Sequence, residues 1–342
     1  MAKAKSKNPT TKSLRLVVVG TSAGGLQALI KLLRQLPAAF PAAIMVVQHI
    51  SAHASGSVLL DEMRKCSKLK CDHAKNGMLI SPGHLYIAPS DHHLLVTGNK
   101  ILITKGAHEN RWRPGIDPLF RSAAVAFGNK VIGIVLTGYL DDGTAGLIAI
   151  KRCGGICIVQ DPADAQYPAM PQNALNQVKV DYCIPIAEMG GILSKLLAKK
   201  PGKSKPVPKD ILIEVEIATR VLSDLPSVNA LGAQVPFNCP GCGGVLWKVD
   251  SGTNMRFRCH TGHSYTSKIL LAEQTKLLDE TMWTALRMFE ERKNLLTTMA
   301  KEQTGAIAKS ALERAKSSDV HIKRIRMILM ANDKATTDDS PV

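Results

Sequence analysis

The stretch Leu16-Val17-Val18-Val19-Gly20-Thr21-Ser22-Ala23-Gly24-Gly25 decides how this chain is read. Its apolar run, mostly β-branched, has the length and composition of a strand buried on both faces. The glycines interrupt that strand, and Leu26, Leu29, Ile30 and Leu33 then recur at helical spacing. Strand, glycine turn and helix in that order form a repeating piece of a parallel α/β sheet. Ser22 stands on the turn, beside the first N–H groups of the helix, which lack intrahelical partners and attract negative charge. A hydroxyl beside such donors is what an acyl-transfer nucleophile needs.

Working outward, Ala43–Val47 reads as a second strand and residues 57–67 as a helix. Pro118–Phe127 is helical, Val131–Leu136 a buried strand, Ala145–Arg152 a helix and Ile156–Val159 a further strand. Short strands at Leu85–Ile87, Leu94–Thr97 and Ile101–Thr104 predict an added antiparallel piece around residues 84–104. The alternation predicts an α/β fold over residues 14–200: a doubly wound, mostly parallel, Rossmann-like sheet with helices on both faces. Beyond it the sequence predicts a linker over 201–236 with a helix at Ile211–Leu222, and a compact Cys/His unit over 237–266. A helical hairpin follows over 267–331, broken at Thr304-Gly305, with Leu271, Leu278, Met282, Ala285, Phe289 and Leu296 on one face of its first helix. Residues 1–13 and 332–342 read as disordered tails.

The 342 residues, 45% hydrophobic, suffice for one sizeable α/β domain and a smaller unit. No apolar run is long enough to span a bilayer, and the lysine-dotted N-terminus lacks the apolar stretch of a signal peptide. A soluble, cytoplasmic protein without membrane insertion is expected. Of the net charge of +16, eleven charges fall in residues 1–15 and 195–209, stretches without acids that read as solvated and flexible. With aromatics at only 4%, these features argue against a nucleic-acid partner. Cys66, Cys71, Cys153, Cys157 and Cys183 are scattered and read as buried small hydrophobes in a reducing compartment.

Ligands of an open parallel sheet bind beyond the carboxyl ends of its strands. Three such ends carry complementary groups: Ser22, then His49 after Gln48, then Asp141 and Asp142 after Thr137-Gly138-Tyr139-Leu140. A serine hydroxyl needs a neighbouring base, for which His49 is the candidate. An acid must fix the imidazole tautomer and stabilise the imidazolium; Asp142 suits that role, and spacing does not separate it from Asp141. The amide of Ala23 is placed to hold an oxyanion. Gly20-Thr21-Ser22-Ala23-Gly24 formally matches the nucleophile elbow of α/β-hydrolases, whose triads run serine, acid, histidine; here the order is serine, histidine, acid. A dinucleotide-binding turn would want a glycine where Ser22 stands and an acid near the end of the second strand, where this chain has Gln48-His49.

Several further segments join these in order: Pro82-Gly83-His84-Leu85-Tyr86-Ile87-Ala88-Pro89, Arg113-Pro114 with Asp117-Pro118-Leu119-Phe120, Leu136-Thr137-Gly138 with Asp142-Gly143, and Met170-Pro171. The set resembles the catalytic domain of the chemotaxis protein-glutamate methylesterases (CheB family) over about residues 14–190. The resemblance implies Ser22 as nucleophile, His49 as base, Asp142 rather than Asp141 as acid, and backbone oxyanion donors at Ala23 and Tyr139. It also implies as partner a methylated chemoreceptor or other methylated signalling protein, whose γ-glutamyl methyl esters are hydrolysed; some members also deamidate glutamine. No cofactor is implied for catalysis. The family commonly has methionine-glycine where this chain has Tyr139-Leu140, which bears on the oxyanion loop and leaves room for a non-catalytic docking module. Many members carry an N-terminal receiver domain. The fifteen residues before the first strand are too few for one, so control by aspartyl phosphate within the chain is not expected.

Cys239-Pro240-Gly241-Cys242 is a knuckle of two thiols on a tight turn, and sixteen residues separate Cys242 from Cys259. Tetrahedral zinc needs two such pairs joined by a short hairpin, which Val245–Val249 and Met255–Arg258 can supply. His263 has the wider spacing from Cys259 and is expected as fourth ligand in preference to His260. Four protein ligands make such a zinc structural.

Overall fold

The structure, a computed structural model, describes residues 14–221, 224–249 and 255–335. The expected tail over 1–13, and residues 336–342 of the C-terminal one, lie outside the described residues.

The α/β part runs β1 (Arg15–Thr21), α1 (Gly25–Leu33), β2 (Ala42–Gln48), α2 (Ser57–Cys66), β3 (Lys70–His73), β4 (His84–Ile87), β5 (His93–Thr97), β6 (Lys100–Thr104) and α3 (Ile116–Phe127). It continues through β7 (Val131–Val135), α4 (Thr144–Arg152), β8 (Ile156–Gln160), α5 (Ala169–Gln177), β9 (Tyr182–Ile184) and α6 (Ile186–Ala198). Seven parallel strands stand in the order β3-β4-β2-β1-β7-β8-β9. The period of a strand divides β1 between two cores. Leu16 and Val18 pack with Leu119 and Phe120 of α3, Leu147 of α4 and Met170 of α5. Val17 and Val19 pack with Leu29 of α1, Met63 of α2 and Leu193 of α6. Helices therefore cover both faces, and β1 is the point from which the chain builds outward first through β2 and then through β7. Its carboxyl end is where a crevice opens in such sheets.

The antiparallel insertion is smaller than expected. β4 belongs to the parallel sheet, with Leu85, Tyr86 and Ile87 in register with Ile44, Met45 and Val46; only β5 and β6 form a separate antiparallel pair. The apolar run of β4 suits a strand covered on both sides, so its place in the main sheet follows from burial. Cys71, Cys153 and Cys157 are buried as expected, whereas Cys66, at the end of α2, is half-buried and Cys183, on the edge strand β9, is exposed.

Next come α7 (Lys209–Arg220), α8 (Leu225–Asn229), β10 (Gly232–Asn238), β11 (Val245–Val249), β12 (Arg256–Cys259) and β13 (Ser264–Thr266). The last four form an antiparallel sheet in chain order. The expected linker over 201–236 thus ends early: Gly232 already pairs with Val249. Five buried charges fasten this sheet to the α/β part. Glu214 of α7 accepts from Arg256 at 2.8 and 2.9 Å, and Glu109, in the loop before α3, accepts from Arg258 at 2.9 Å and from Arg121 of α3. Burial is costly for such groups, and removing one partner would leave the others uncompensated.

The chain divides into two units, Met1–Ile269 and Leu270–Val342. The second contains most of α9 (Ser267–Glu302) and all of α10 (Gly305–Ala335). There Leu286 packs with Ile322 and Ile325, and Leu296 with Ala311 and Ala315; Met282, Ala285 and Phe289 flank the first cluster, while Leu271 and Leu278 lie outside both. The helix runs on through residues 332–335, expected as tail, because no glycine or proline interrupts it there. Among the described residues, no helix is long and apolar enough to cross a membrane.

Candidate active site

Side chains lace the carboxyl ends of β1, β2 and β7 together. His49 N donates to Thr21 O (3.1 Å), and Ser22 N to Thr137 O (3.0 Å). Thr21 Oγ1 also reaches Thr137 O at 2.9 Å, and Gln48 Nε2 donates to the carbonyls of Ser22 (2.7 Å) and His49 (3.0 Å). Gly138 lies flat against the nucleophile candidate. A Cβ there would sit 2.7 Å from Ser22 Cβ and 2.2 Å from Met170 Sδ, so no larger residue fits.

His49 Nε2 donates to Asp142 Oδ2 at 2.9 Å, and both residues are buried. Asp142 is thus the acid that meets the imidazole. Its neighbour Asp141 instead accepts from Thr266 Oγ1 at 3.1 Å. Asp142 is held by several donors: Ile116 N (2.7 Å) on Oδ2, and Asn110 Nδ2 (3.0 Å), Gly143 N (3.0 Å) and Asp117 N (3.3 Å) on Oδ1. Asp117 in turn accepts from Gly143 N, Gly146 N and Asn110 Nδ2. The two carboxylates thereby cap opposite helices: Asp142 takes the free N–H groups opening α3, Asp117 those around the start of α4. Burial alone would raise the Asp142 carboxyl. The bond and charge of His49, with the Ile116 and Asn110 donors, outweigh burial and hold it below the usual carboxylate range. Burial and the adjacent Asp142 charge push Asp117 up to about 8. Burial pushes Asp141 up to about 6, against the Thr266 bond and with help from Asp142.

The other imidazole nitrogen, Nδ1, is buried and has no hydrogen-bond partner among the described residues. The indole of Trp112 stacks on the ring, centroids 4.3 Å apart and planes 10° apart. Around Ser22 the flanking amides are engaged: Ser22 N by Thr137, and Gly138 N by Tyr167 O at 3.0 Å. The amides of Ala23 and Tyr139 donate to no described group.

Residues 17–193 match the CheB methylesterase family. The chain belongs to that family. A protein-glutamate methylesterase/protein-glutamine glutaminase of Photorhabdus laumondii is 37% identical over 198 residues, 57% of this chain and 55% of that protein. One from Pyrococcus abyssi is 34% identical over 191 residues, 55% of this chain and 52% of its own length. The chain thus spans about half the length of these curated relatives. The CheB methylesterase catalytic domain of Thermotoga maritima superposes with a TM-score of 0.52 at 32% identity, covering 54% of this chain and 99% of that domain.

The glycine expected from the resemblance after the Leu136-Thr137-Gly138 segment is Leu140 here, and Leu140 has φ 63, the left-handed region that glycine favours. Asn173 Nδ2 donates to its carbonyl at 2.7 Å and holds the turn. The loop therefore keeps a glycine-like course with a leucine in it, at a cost of about 1–2 kcal/mol.

Outside the matched region, Cys239, Cys242, Cys259 and His263 bring one ligand atom each within 4.8 Å of one another. Cys242 Sγ lies 3.7 Å from Cys259 Sγ, and Cys259 Sγ 3.6 Å from His263 Nδ1. A tetrahedral ion with metal–sulfur bonds of about 2.3 Å separates its sulfurs by roughly 3.8 Å, so the donor set fits zinc. His260 is not part of this cluster.

Sequence reasoning missed Asn110 and Trp112, which sit in an aperiodic loop. Asp117 was visible as part of a motif, but nothing local indicates its partnership with Asp142.

Proposed function

We propose that this chain is a serine carboxylic-ester hydrolase that removes γ-methyl groups from glutamate side chains of a methylated chemoreceptor or related signalling protein. The reading is carried by the His49–Asp142 pair, fixed at the end of β2 next to the end of β1 that carries Ser22, with Nδ1 of the imidazole lacking a partner among the described residues. Asp142 occupies Nε2, so Nδ1 is the base. Ser22 Oγ attacks the ester carbonyl as Nδ1 takes its proton. The oxyanion rests on the amides of Ala23 and Tyr139. As the tetrahedral intermediate collapses, the methoxy oxygen takes the proton from Nδ1 and methanol leaves. Water then gives a proton to Nδ1 and attacks the acyl carbon, and Ser22 recovers its proton as glutamate is released. The names of the relatives extend the same chemistry to glutamine, with ammonia as leaving group.

Zinc in the Cys/His unit would be held by Cys239, Cys242, Cys259 and His263. With four protein ligands it would supply cross-linking of two knuckles rather than an open coordination site. Cysteines without disulfides suit a reducing cytoplasm. The docking-module reading has its support in Tyr139-Leu140. With the left-handed turn kept and the Tyr139 amide unengaged, that support is weak. Methanol release from a methylated receptor fragment tests the proposal: Ser22→Ala should abolish it with the melting temperature unchanged, and full activity in that variant would refute it.

A further inference from the structure

Strand β13 of the Cys/His sheet runs beside the loop between β6 and α3. Asn110 N donates to Ser264 O at 2.8 Å, and Ser264 N to His108 O at 3.4 Å. Thr266 N donates to Asn110 Oδ1 at 3.2 Å. The Asn110 amide is thereby oriented, and its Nδ2 donates to both Asp142 Oδ1 and Asp117 Oδ2 at 3.0 Å. Asn110 and Arg111 both have left-handed backbone, φ 50 and 73, a course that side-chain-bearing residues keep only where neighbours hold it. The bonds from β13 supply that hold, and the same loop delivers Trp112 onto His49. On the other side of Asp142, Thr266 Oγ1 grips Asp141. Glu109, next to Asn110, is tied to Arg258 of β12.

The strands that hold this loop are bounded by the metal-ligating residues. Arg258 precedes Cys259, and Ser264 follows His263. Among the described residues of the sheet, Leu246, Trp247, Phe257 and Tyr265 are buried, and Val249 packs with Leu231 and with Ile217 of α7. Metal held by Cys239, Cys242, Cys259 and His263 would tie the turn after β10 to the turn between β12 and β13, so ligation would be coupled to the seating of β13.

We propose that Asn110 is a positioning residue through which the Cys/His unit seats the catalytic acid, so that the zinc-bound unit is a condition for a working His49–Asp142 pair. This rests on the esterase reading above. Loss of metal frees β13, β13 releases Asn110, and Asp142 loses one of its donors while Trp112 loses its place on His49. The titratable groups facing Asp142 are His49, Asp117 and Asp141, with His93 near enough to interact. With one donor gone, the Asp142 carboxyl is held less far below the usual carboxylate range, and its bond to His49 Nε2 strengthens.

The test uses the full zinc-loaded chain. In one arm, amide exchange is followed over residues 106–113 and over β1 before and after chelation. The proposal expects exchange in 106–113 to rise by about tenfold or more while β1 stays protected. In the other arm, the pH profile of Ser22 labelling by a fluorophosphonate is compared in wild type, Asn110→Ala, Cys242→Ser and the double variant. Both single changes should move the acid limb upward by about half a unit, and the double should match Asn110→Ala alone. A chain that binds no zinc, a 106–113 loop that stays protected without it, or shifts that add in the double variant would each overturn the proposal. If Asn110→Ala does not fold, Asn110→Ser takes its place, and the exchange arm needs no variant. If wild type fails to label at Ser22, the esterase reading falls, and exchange still decides whether the Cys/His unit holds the loop.

Discussion

Replacing Asp142 by asparagine keeps the shape of the site, reverses the bond to His49 and breaks the one from Ile116 N. Asparagine has one acceptor oxygen where aspartate has two. Oδ1 receives three donors, from Asn110, Asp117 and Gly143, whereas Oδ2 receives two, from His49 and Ile116. The amide oxygen of the variant will therefore take the Oδ1 position, and its NH2 will face His49 Nε2. A facing donor forces the tautomer with Nε2 bare and the proton on Nδ1. Since Nδ1 is the only nitrogen free to accept from Ser22, the base is lost. In serine triads a reversed tautomer lowers turnover about 10⁴-fold, equivalent to about 5.5 kcal/mol in the barrier. Leaving Ile116 N without its acceptor costs about 1–3 kcal/mol of stability, offset in part by relief of repulsion with Asp117. Methanol release from a methylated receptor fragment, with melting followed by circular dichroism, measures both. Turnover within tenfold of wild type in a folded variant would refute the assignment of Nδ1 as base and Asp142 as its orienting acid.

Other substitutions probe the surroundings. Leu140→Gly relieves a left-handed leucine worth about 1–2 kcal/mol but adds about 0.5–1 kcal/mol of chain entropy; thermal melting should show up to about 1.5 kcal/mol of stabilisation, and a loss of about 1 kcal/mol would contradict the strain. Asp141→Asn tests the buried carboxyl that stands at about 6. Its folded value lies above the unfolded one, so ionisation costs nothing below about pH 4 and its full amount above pH 6; the variant should gain about 2–3 kcal/mol in urea unfolding at pH 8 and nothing at pH 3.5. Glu214 behaves oppositely: burial would raise it, but Arg256 and Arg121 hold it far below the usual range, so its contribution is present at neutral pH and lost as pH falls below the ordinary glutamate value. Glu214→Gln should cost about 3–5 kcal/mol at pH 7, and a change under 1 kcal/mol would show that the buried arginines do not need it.

The fold was legible where burial on both faces leaves a continuous apolar run, as in β1, β2 and β7. It was least legible at the edges. β3 reads Lys-Cys-Asp-His and β10 reads Gly-Ala-Gln-Val-Pro-Phe-Asn, with little apolar content to mark a strand. Ser22 and His49 could be placed because each directly follows such a run, and polar groups at the carboxyl ends of parallel strands converge whatever the loops do. The choice between Asp141 and Asp142 turns on loop direction, which residue spacing does not encode. Asn110 and Trp112 were out of reach for a different reason. They owe their positions to β13, more than a hundred residues further along the chain, and no local pattern records a contact of that range. The knuckle cysteines were readable because tetrahedral ligation imposes spacing directly on the sequence.

Peptide mapping after reaction of the intact chain with a fluorophosphonate is the most direct measurement of whether these strand ends make an activated serine. The account predicts a single covalent adduct, on Ser22, formed near neutral pH and lost in His49→Ala. A folded protein that stays unlabelled at Ser22, or one that labels there equally well without His49, would contradict it.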